Sequence, residues 1–300
     1  MAKHFIDLDD HSFKELQGII DNAIALKKSH QSGEINESLK NKTLAMIFDK
    51  PSTRTRVSFE AGMTQLGGHS LFLSDKDIQI GRGEPITDSA IVIGSMVDAV
   101  MLRVSSHEDI LTFSKHANTP VINALSDQSH PCQMLADLMT YQEHRGSIKG
   151  KKVVWIGDGN NVCQTYMQAA EIFSFELIIS TPKGYEAAQD FVDKYQNNIS
   201  YSLNPFEACK GADLVVTDVW ASMGMESEQK ARELAFKDFQ VNLQMMSVAD
   251  EGALFMHCLP AHRGEEVSAE VIDGKQSVIW DEAENRLHAQ KALLLYLINS

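Results

Sequence analysis

The sequence predicts an α/β protein of two doubly wound domains, each with a parallel sheet. Three observations support this. The chain has 300 residues, about twice a typical domain length. Short apolar runs alternate with longer segments of helical spacing, which favours parallel sheets covered by helices. The alternation restarts after a polar segment at 145–150. We therefore expect domains over 1–145 and 146–282, with a C-terminal helix over 283–300 that packs back on the first.

The first domain contains clear start and stop signals. Ser12 and Glu15 have the spacing of a capping box, so a helix is expected from there. A helix over 53–66 should end at the paired glycines Gly67 and Gly68, and one over 131–144 should begin at Pro131. Strands are expected at 43–48, near Leu71, at 99–102 and at 121–123.

In the second domain, five apolar runs predict strands, with helices between them and a last amphipathic helix from Ala283. The expected strands are 153–156, 177–180, 214–217, 254–257 and 278–280.

Composition excludes several classes of protein. With 27 basic and 41 acidic residues the net charge is −14, which argues against nucleic acid or an anionic membrane surface as partner. A few focused arginines could still bind a small anion. The four cysteines form no C-x-x-C pair, so no structural zinc is expected and the thiols suit a reducing compartment. The first residues lack the apolar core of a signal peptide, and no apolar run is long enough to span a membrane. We expect a cytoplasmic protein.

Unusual polar segments follow the predicted strands. In open α/β sheets, ligands bind beyond the carboxyl ends of the strands. We therefore expect one active site in the cleft between the two domains. The segments are 49–55, Arg103, 126–133, 157–161, 218–224 and 257–263.

The segment 51–56 combines hydroxyl groups and two arginines at a predicted helix start. Free backbone amides at a helix N-terminus bind anions, and guanidinium groups bind phosphate through paired hydrogen bonds. The segment predicts an anion site; the alternative is an ordinary Ser52 or Thr53 cap beside solvated arginines. His130 and Gln133, at the next helix start, could hold a carbonyl or carboxamide or merely cap that helix. Arg103 ends an apolar strand and is either solvated or directed at a ligand.

The glycine-containing turn Gly157-Asp158-Gly159 invites comparison with a dinucleotide-binding motif. Val162 stands where the third glycine would be, and the next strand ends without the acid that binds a ribose. Nicotinamide binding is therefore not expected.

Two further strand ends carry reactive groups. Asp218 precedes a loop with a hydroxyl and backbone amides, which suits a zwitterionic amino acid; the alternative is a turn residue. Cys258 could be a nucleophile, a hydrogen-bonding thiol or a buried filler. Metal binding through Cys258 and His262 lacks further ligands.

Taken together, four segments resemble the aspartate/ornithine carbamoyltransferase family along nearly the whole chain. Ser52-Thr53-Arg54-Thr55-Arg56 and His130-Pro131-Cys132-Gln133 resemble the family's signatures for carbamoyl phosphate. Asp218 to Gly224 and His257-Cys258-Leu259-Pro260 resemble the segments of its ornithine-specific branch. Trp280 and Glu282 depart from the family pattern, which has phenylalanine and glutamine there.

The resemblance implies carbamoyl transfer from carbamoyl phosphate to the side-chain amine of ornithine, in arginine metabolism. It implies a homotrimer and no metal or organic cofactor. Carbamoyl phosphate would contact Ser52, Thr53, Arg54, Thr55, Gln79, Arg103, His130, Gln133, Cys258, Leu259 and Arg286. Ornithine would contact Asn161, Asp218, Ser222 and Met223. The catalytic residues would be Arg103, His130, Asp218 and Cys258.

Three alternatives remain at this stage. The chain could use another amine, such as putrescine or an acylated ornithine. It could be a nicotinamide-dependent oxidoreductase, against which Val162 and the missing acid argue. It could be a binding subunit without activity, which the joint presence of the candidate residues disfavours.

Overall fold

The computed structural model describes residues 2–74, 83–221 and 228–299. The chain divides into two units: Met1–Met139 with Glu284–Ser300, and Thr140–Ala283. The helices are α1 (Phe13–Gln31), α2 (Thr53–Gln65), α3 (Ile86–Gly94), α4 (His107–His116), α5 (Pro131–Arg145), α6 (Asn161–Phe173), α7 (Gln189–Lys194), α8 (Pro205–Cys209), α9 (Gln229–Phe236), α10 (Leu243–Val248), α11 (Ala269–Ile272) and α12 (Ile279–Ile298). The strands are β1 (Thr43–Phe48), β2 (His69–Ser74), β3 (Ala99–Arg103), β4 (Val121–Leu125), β5 (Lys152–Ile156), β6 (Glu176–Ser180), β7 (Ile199–Ser202), β8 (Leu214–Thr217) and β9 (Leu254–His257).

Each unit contains one parallel sheet. The first has the order β2-β1-β3-β4 and the second the order β7-β6-β5-β8-β9. The central strands β1, β5 and β8 are buried along almost their whole length, as expected for strands covered by helices on both faces. The predicted fold class of two parallel-sheet α/β domains is confirmed.

Helix starts follow the predicted capping chemistry. Ser12 caps α1 by accepting from the Glu15 N–H, and the Glu15 carboxylate accepts from the Ser12 N–H in return. Ser52 caps α2 by accepting from the Thr55 N–H. The capping box predicted at Ser12 is therefore confirmed, and α2 begins within the polar segment that follows β1.

The strand predicted at 278–280 is wrong. Residues next to it make a single parallel bridge, between Ser277 and Phe255, after which α12 begins at Ile279. Asp281 and Glu282 lie in the first turn of α12, where the helix dipole favours negative charge. Val278 and Ile279 are buried and Trp280 is exposed, so the apolar run reflects a buried helix start and not a buried strand. Strand β7, whose burial alternates poorly, was missed.

In the described residues, no helix combines the length and the apolar character that crossing a bilayer requires.

Candidate active site

Strand order brings the candidate residues of the first unit to one edge of its sheet. β1 and β3 are hydrogen-bonded neighbours, and Phe48 pairs in register with Arg103. The Asp49 N–H donates to the Arg103 carbonyl at 3.1 Å. Because parallel strands end on the same side, the start of α2 and Arg103 lie close together.

Thr55 is the point on which two arginines converge. The Arg103 Nη1 donates to Thr55 Oγ1 at 3.2 Å, and the Arg286 Nη2 lies 3.4 Å from the same oxygen. Thr55 is buried in the first turn of α2, where backbone amides point toward the preceding loop. Two guanidinium groups and a helix N-terminus therefore meet at one place, an arrangement with the donors that a phosphate-sized dianion would need.

Gln133 and Arg286 form a second contact at this edge. The Arg286 Nη1 donates to Gln133 Oε1 at 2.6 Å, which ties α12 to α5. The Gln133 Nε2 donates to Asp137 Oδ1 at 2.8 Å. The Gln133 side chain thus binds a guanidinium through its oxygen and a carboxyl group through its nitrogen, and it does more than cap its helix.

His130 lies buried immediately before α5. Burial lowers the pKa of His130 well below its ordinary value, and the positive charges of Arg286, Arg103 and Arg54 lower it further. His130 is therefore neutral near pH 7. A neutral imidazole keeps one N–H, so it can polarise a carbonyl oxygen without adding a charge.

In the second unit, Asp218 is held from three sides. β8 lies between β5 and β9, so the loops that follow these strands are neighbours. The Asn160 Nδ2 donates to Asp218 Oδ2 at 2.8 Å, while the Val219 N–H and the Cys258 thiol donate to Oδ1 at 2.8 and 3.1 Å. Asn160 also caps α6 through its Oδ1. The carboxylate is thereby placed beside the thiol, and a positively charged amine would find its acceptor there.

The backbone around Cys258 is fixed by buried side chains. The Leu259 N–H donates to His257 Nδ1 at 2.9 Å, and His257 Nε2 lies 3.0 Å from Glu266 Oε1. Because Nδ1 must accept from an N–H, the imidazole carries its proton on Nε2 and donates it to Glu266. The backbone N–H of His257 donates to the Glu282 carboxylate at 2.9 Å. Leu259 has a φ of 58°, in the region that L-residues rarely adopt, and these contacts hold it there.

Two groups of potential metal ligands occur among the described residues: Asp218 with His257 and Cys258, and His262 with Glu265 and Glu266. Both ring nitrogens of His257 are already engaged within the protein, so the first group lacks a histidine ligand. Cys258 and His262, paired in the sequence-based alternative, fall in different groups.

The glycine turn after β5 packs against the chain itself. A side chain at Gly159 would overlap the backbone of Glu186 and Ala187, and the Gly159 N–H donates to the Tyr185 carbonyl at 2.9 Å. Asp158 pairs with the buried Arg232 at 2.8 Å. Burial raises the pKa of Asp158, and the Arg232 charge opposes that shift. The close approach that a dinucleotide would need is thus made by this chain's own backbone.

The structure brings some of the predicted site residues together, whereas others lie outside the residues that it describes. A chain of contacts joins Arg103 to Thr55, Thr55 to Arg286, and Arg286 to Gln133. The charges of Arg286, Arg103 and Arg54 act on His130. Asp218 and Cys258 are in contact, Leu259 follows in the same loop, and Asn161 opens α6. Ser52 caps α2, and Thr53 is exposed in its first turn. Gln79, Ser222 and Met223 lie outside the described residues.

Sequence reasoning missed Asn160 and Glu266 as partners of the site. Asn160 was visible as a residue before a helix start, a position that favours asparagine. Glu266 had no local signal, because its partners come from the other end of a loop.

Comparisons with known proteins cover both units. Residues 3–143 match the family model for the aspartate/ornithine carbamoyltransferase carbamoyl-P binding domain, and residues 149–297 match that for the Asp/Orn binding domain. Ornithine carbamoyltransferase of Ruthia magnifica subsp. Calyptogena magnifica is 67% identical over 299 residues, covering 100% of both chains. That of Hydrogenovibrio crunogenus is 61% identical, covering 99% of this chain and 98% of its own.

Solved structures of ornithine carbamoyltransferases also resemble this chain over almost its whole length. Ornithine carbamoyltransferase from Pyrococcus furiosus has a TM-score of 0.96 at 47% identity, covering 100% of this chain and 98% of its own. The enzyme from Burkholderia thailandensis E264 has a TM-score of 0.92 at 51% identity, covering 98% of each chain.

Proposed function

This chain belongs to the aspartate/ornithine carbamoyltransferase family, and we propose that it transfers the carbamoyl group of carbamoyl phosphate to the side-chain amine of L-ornithine. The products are L-citrulline and phosphate, and the reaction belongs to arginine metabolism. The observation that carries the donor half is the convergence of Arg103 and Arg286 on Thr55 at the start of α2. The choice of ornithine as the acceptor is supported by relatives that match this chain over its full length and are named ornithine carbamoyltransferase.

We assign the donor to the first domain, residues 1–145 with the C-terminal helix. Ser52, Thr53, Arg54 and Thr55 would hold the phosphate through the amides and hydroxyls at the start of α2, with Arg286 beside them. Gln133 and the backbone at Cys258 and Leu259 would bind the carbamoyl amide. Gln79 would add a contact to the donor.

The carbonyl oxygen of the donor becomes negative as the amine attacks. Arg103 and the neutral His130 would donate to that oxygen, and donors that strengthen as charge develops raise the rate and not merely the affinity. Phosphate then leaves, and no covalent enzyme intermediate is needed.

We assign ornithine to the second domain, residues 146–282. Asp218 would accept from the amino-acid head, with Asn161, Ser222 and Met223 around it. The attacking amine is the harder problem, since with a pKa near about 10.4 only about one molecule in a few thousand is neutral at pH 7. Positive charge and desolvation lower such a pKa. The Cys258 Sγ and the Asp218 Oδ1 lie 3.1 Å apart; the two groups would position the amine, and the Asp218 carboxylate would receive its proton.

Transfer requires both sets of residues to act on one substrate pair, which we propose occurs in a cleft between the domains. We also propose a cytoplasmic homotrimer that needs no metal or organic cofactor. Exposed apolar side chains on α2, β2 and α3, and just after α3, support self-association of the first unit: Val57, Leu71, Ile91, Val92 and Met96. Light scattering on the purified chain measures its subunit number.

The deciding experiment is citrulline formation from carbamoyl phosphate and ornithine, run beside putrescine, N-acetylornithine and aspartate. Turnover with ornithine, and with none of the other three acceptors, supports the proposal. Preference for another amine would reassign the acceptor, and no turnover with any of them would leave a binding protein.

A further inference from the structure

The Arg286 side chain is almost completely buried, and three neutral side chains bring an acceptor oxygen to its guanidinium. It donates to Gln133 Oε1 at 2.6 Å and approaches Thr55 Oγ1 at 3.4 Å. A third acceptor is Gln290, one turn further along α12 and itself 1% exposed. With the amide assigned in the orientation that its neighbours require, its Oε1 lies 3.1 Å from Arg286 Nη2 and 3.3 Å from Nε. These three side chains orient the guanidinium and are themselves uncharged.

Ser58 determines which way the Gln290 amide faces. The Ser58 hydroxyl donates to the Arg54 carbonyl at 2.7 Å. A hydroxyl has one proton, so its oxygen is left to accept. The Gln290 nitrogen therefore faces Ser58 Oγ at 2.5 Å, and the amide oxygen is directed to Arg286.

The other end of the row is polarised in the same way. The Asp137 carboxylate can only accept when ionised, so it orients the Gln133 nitrogen toward itself at 2.8 Å. The Gln133 oxygen then faces Arg286. A directed row of hydrogen bonds thus joins Ser58 on α2, Gln290 and Arg286 on α12, and Gln133 and Asp137 on α5.

We propose that Gln290 is a positioning residue for carbamoyl phosphate. It holds the Arg286 guanidinium in place beside Thr55, where the guanidinium would contact this substrate. The inference rests on the proposed function, because it needs the anion at this place to be the donor substrate. Gln290 acts through Arg286, so its loss weakens the binding of carbamoyl phosphate and of inorganic phosphate. The binding of ornithine depends on other residues and should not change.

The test compares Gln290→Leu with Gln65→Leu. Gln65 also joins α2 to α12, by accepting from the Lys291 Nζ at 2.9 Å, but this contact does not involve Arg286. The two variants therefore lose similar contacts between the same helices. The measurements are KM for each substrate, kcat, and the inhibition constant of inorganic phosphate.

We expect Gln290→Leu to raise KM for carbamoyl phosphate and the phosphate inhibition constant about tenfold, the effect of removing a hydrogen bond to a charged group. KM for ornithine should stay within about twofold, and Gln65→Leu should change neither constant. Ser58→Ala, which frees the amide to rotate, should act in the same direction by about threefold, and it serves where Gln290→Leu does not fold.

Equal effects of Gln290→Leu and Gln65→Leu, or equal losses for both substrates, would overturn the inference. With Ser58→Ala as the readout, an unchanged KM for carbamoyl phosphate overturns it. The parent protein separates this failure from that of the proposed function. If the parent forms no citrulline, the function fails; if it does and the variants do not differ, only the role of Gln290 fails.

Discussion

The Cys258 thiol donates a hydrogen bond to Asp218 Oδ1 across 3.1 Å, which joins the loops after β9 and β8. A thiolate could not donate, so this contact requires the protonated form. The geometry therefore favours a thiol that positions groups over one that attacks the donor.

Replacing Cys258 by serine should leave measurable activity, because a hydroxyl can make the same donation to Asp218. Cys258→Ala removes the donor and should lower kcat about tenfold below the serine variant. Citrulline assays give the rates. A carbamoyl adduct on Cys258, detected as a mass increase after acid quenching, would contradict the prediction.

Replacing Arg103 by leucine should lower kcat about 100- to 1000-fold, the cost of losing one donor to a developing oxyanion. The matched control is Arg56→Leu. Arg56 lies in the first turn of α2, next to Thr55, which Arg103 contacts. Its Nε pairs with Glu60 at 3.0 Å and its guanidinium lies over the Phe72 ring. A comparable loss in both variants would show a general charge effect instead.

The pair of Asp158 and Arg232 should behave as a buried salt bridge. Arg232 also donates to the Trp220 carbonyl at 2.8 Å, beside the segment predicted to bind ornithine. Arg232→Met should destabilise the fold by about 3–5 kcal/mol, since it leaves the Asp158 carboxylate buried alone.

Adding Asp158→Asn to Arg232→Met should recover part of that loss, because the unpaired charge is removed. Urea unfolding of both single variants and the double variant measures the coupling. Strict additivity would show that the two side chains do not depend on each other.

Gly159→Ala should destabilise the protein by about 3 kcal/mol, since the new Cβ would overlap the Ala187 backbone. Gly18→Ala is the control: it lies within α1 with open space around it, and alanine there should stabilise by about 0.5–1 kcal/mol. Thermal unfolding distinguishes the two. Added nicotinamide dinucleotides should not raise the midpoint of the parent protein; protection would contradict our interpretation of this turn.

His288 should make folding stability fall as the solution is acidified. Burial, with the nearby positive charges of Lys291, Lys27 and His30, lowers its pKa to about 4, and the Glu284 carboxylate at 3.7 Å does not reverse the shift. Between the ordinary value of about 6.5 and about 4, the unfolded chain binds a proton that the folded chain does not. Stability from this group is therefore complete above pH 6.5 and declines below it.

His288→Leu should reduce the difference in unfolding free energy between pH 7 and pH 5 by up to about 2 kcal/mol. Urea titrations at the two pH values measure it. An unchanged difference would show that other groups set the acid sensitivity.

Local signals in the sequence determined helix starts, buried strands and the candidate residues at strand ends. The capping box at Ser12 and the buried run at 43–48 were recognisable because hydrogen bonding and burial there follow the spacing of neighbouring residues. The candidate residues at strand ends were also recognisable, because parallel strands end at one edge of a sheet.

Only the tertiary structure decided where partners distant in sequence meet. Gln290 reaches Ser58 because α12 packs on α2, and Glu266 reaches His257 because a loop folds back on β9. The apolar run at 278–280 looked like a strand, but the helix start at Ile279 and its acidic first turn prevailed. Local pattern shows which groups a segment offers, whereas their partners depend on packing between elements far apart in the chain.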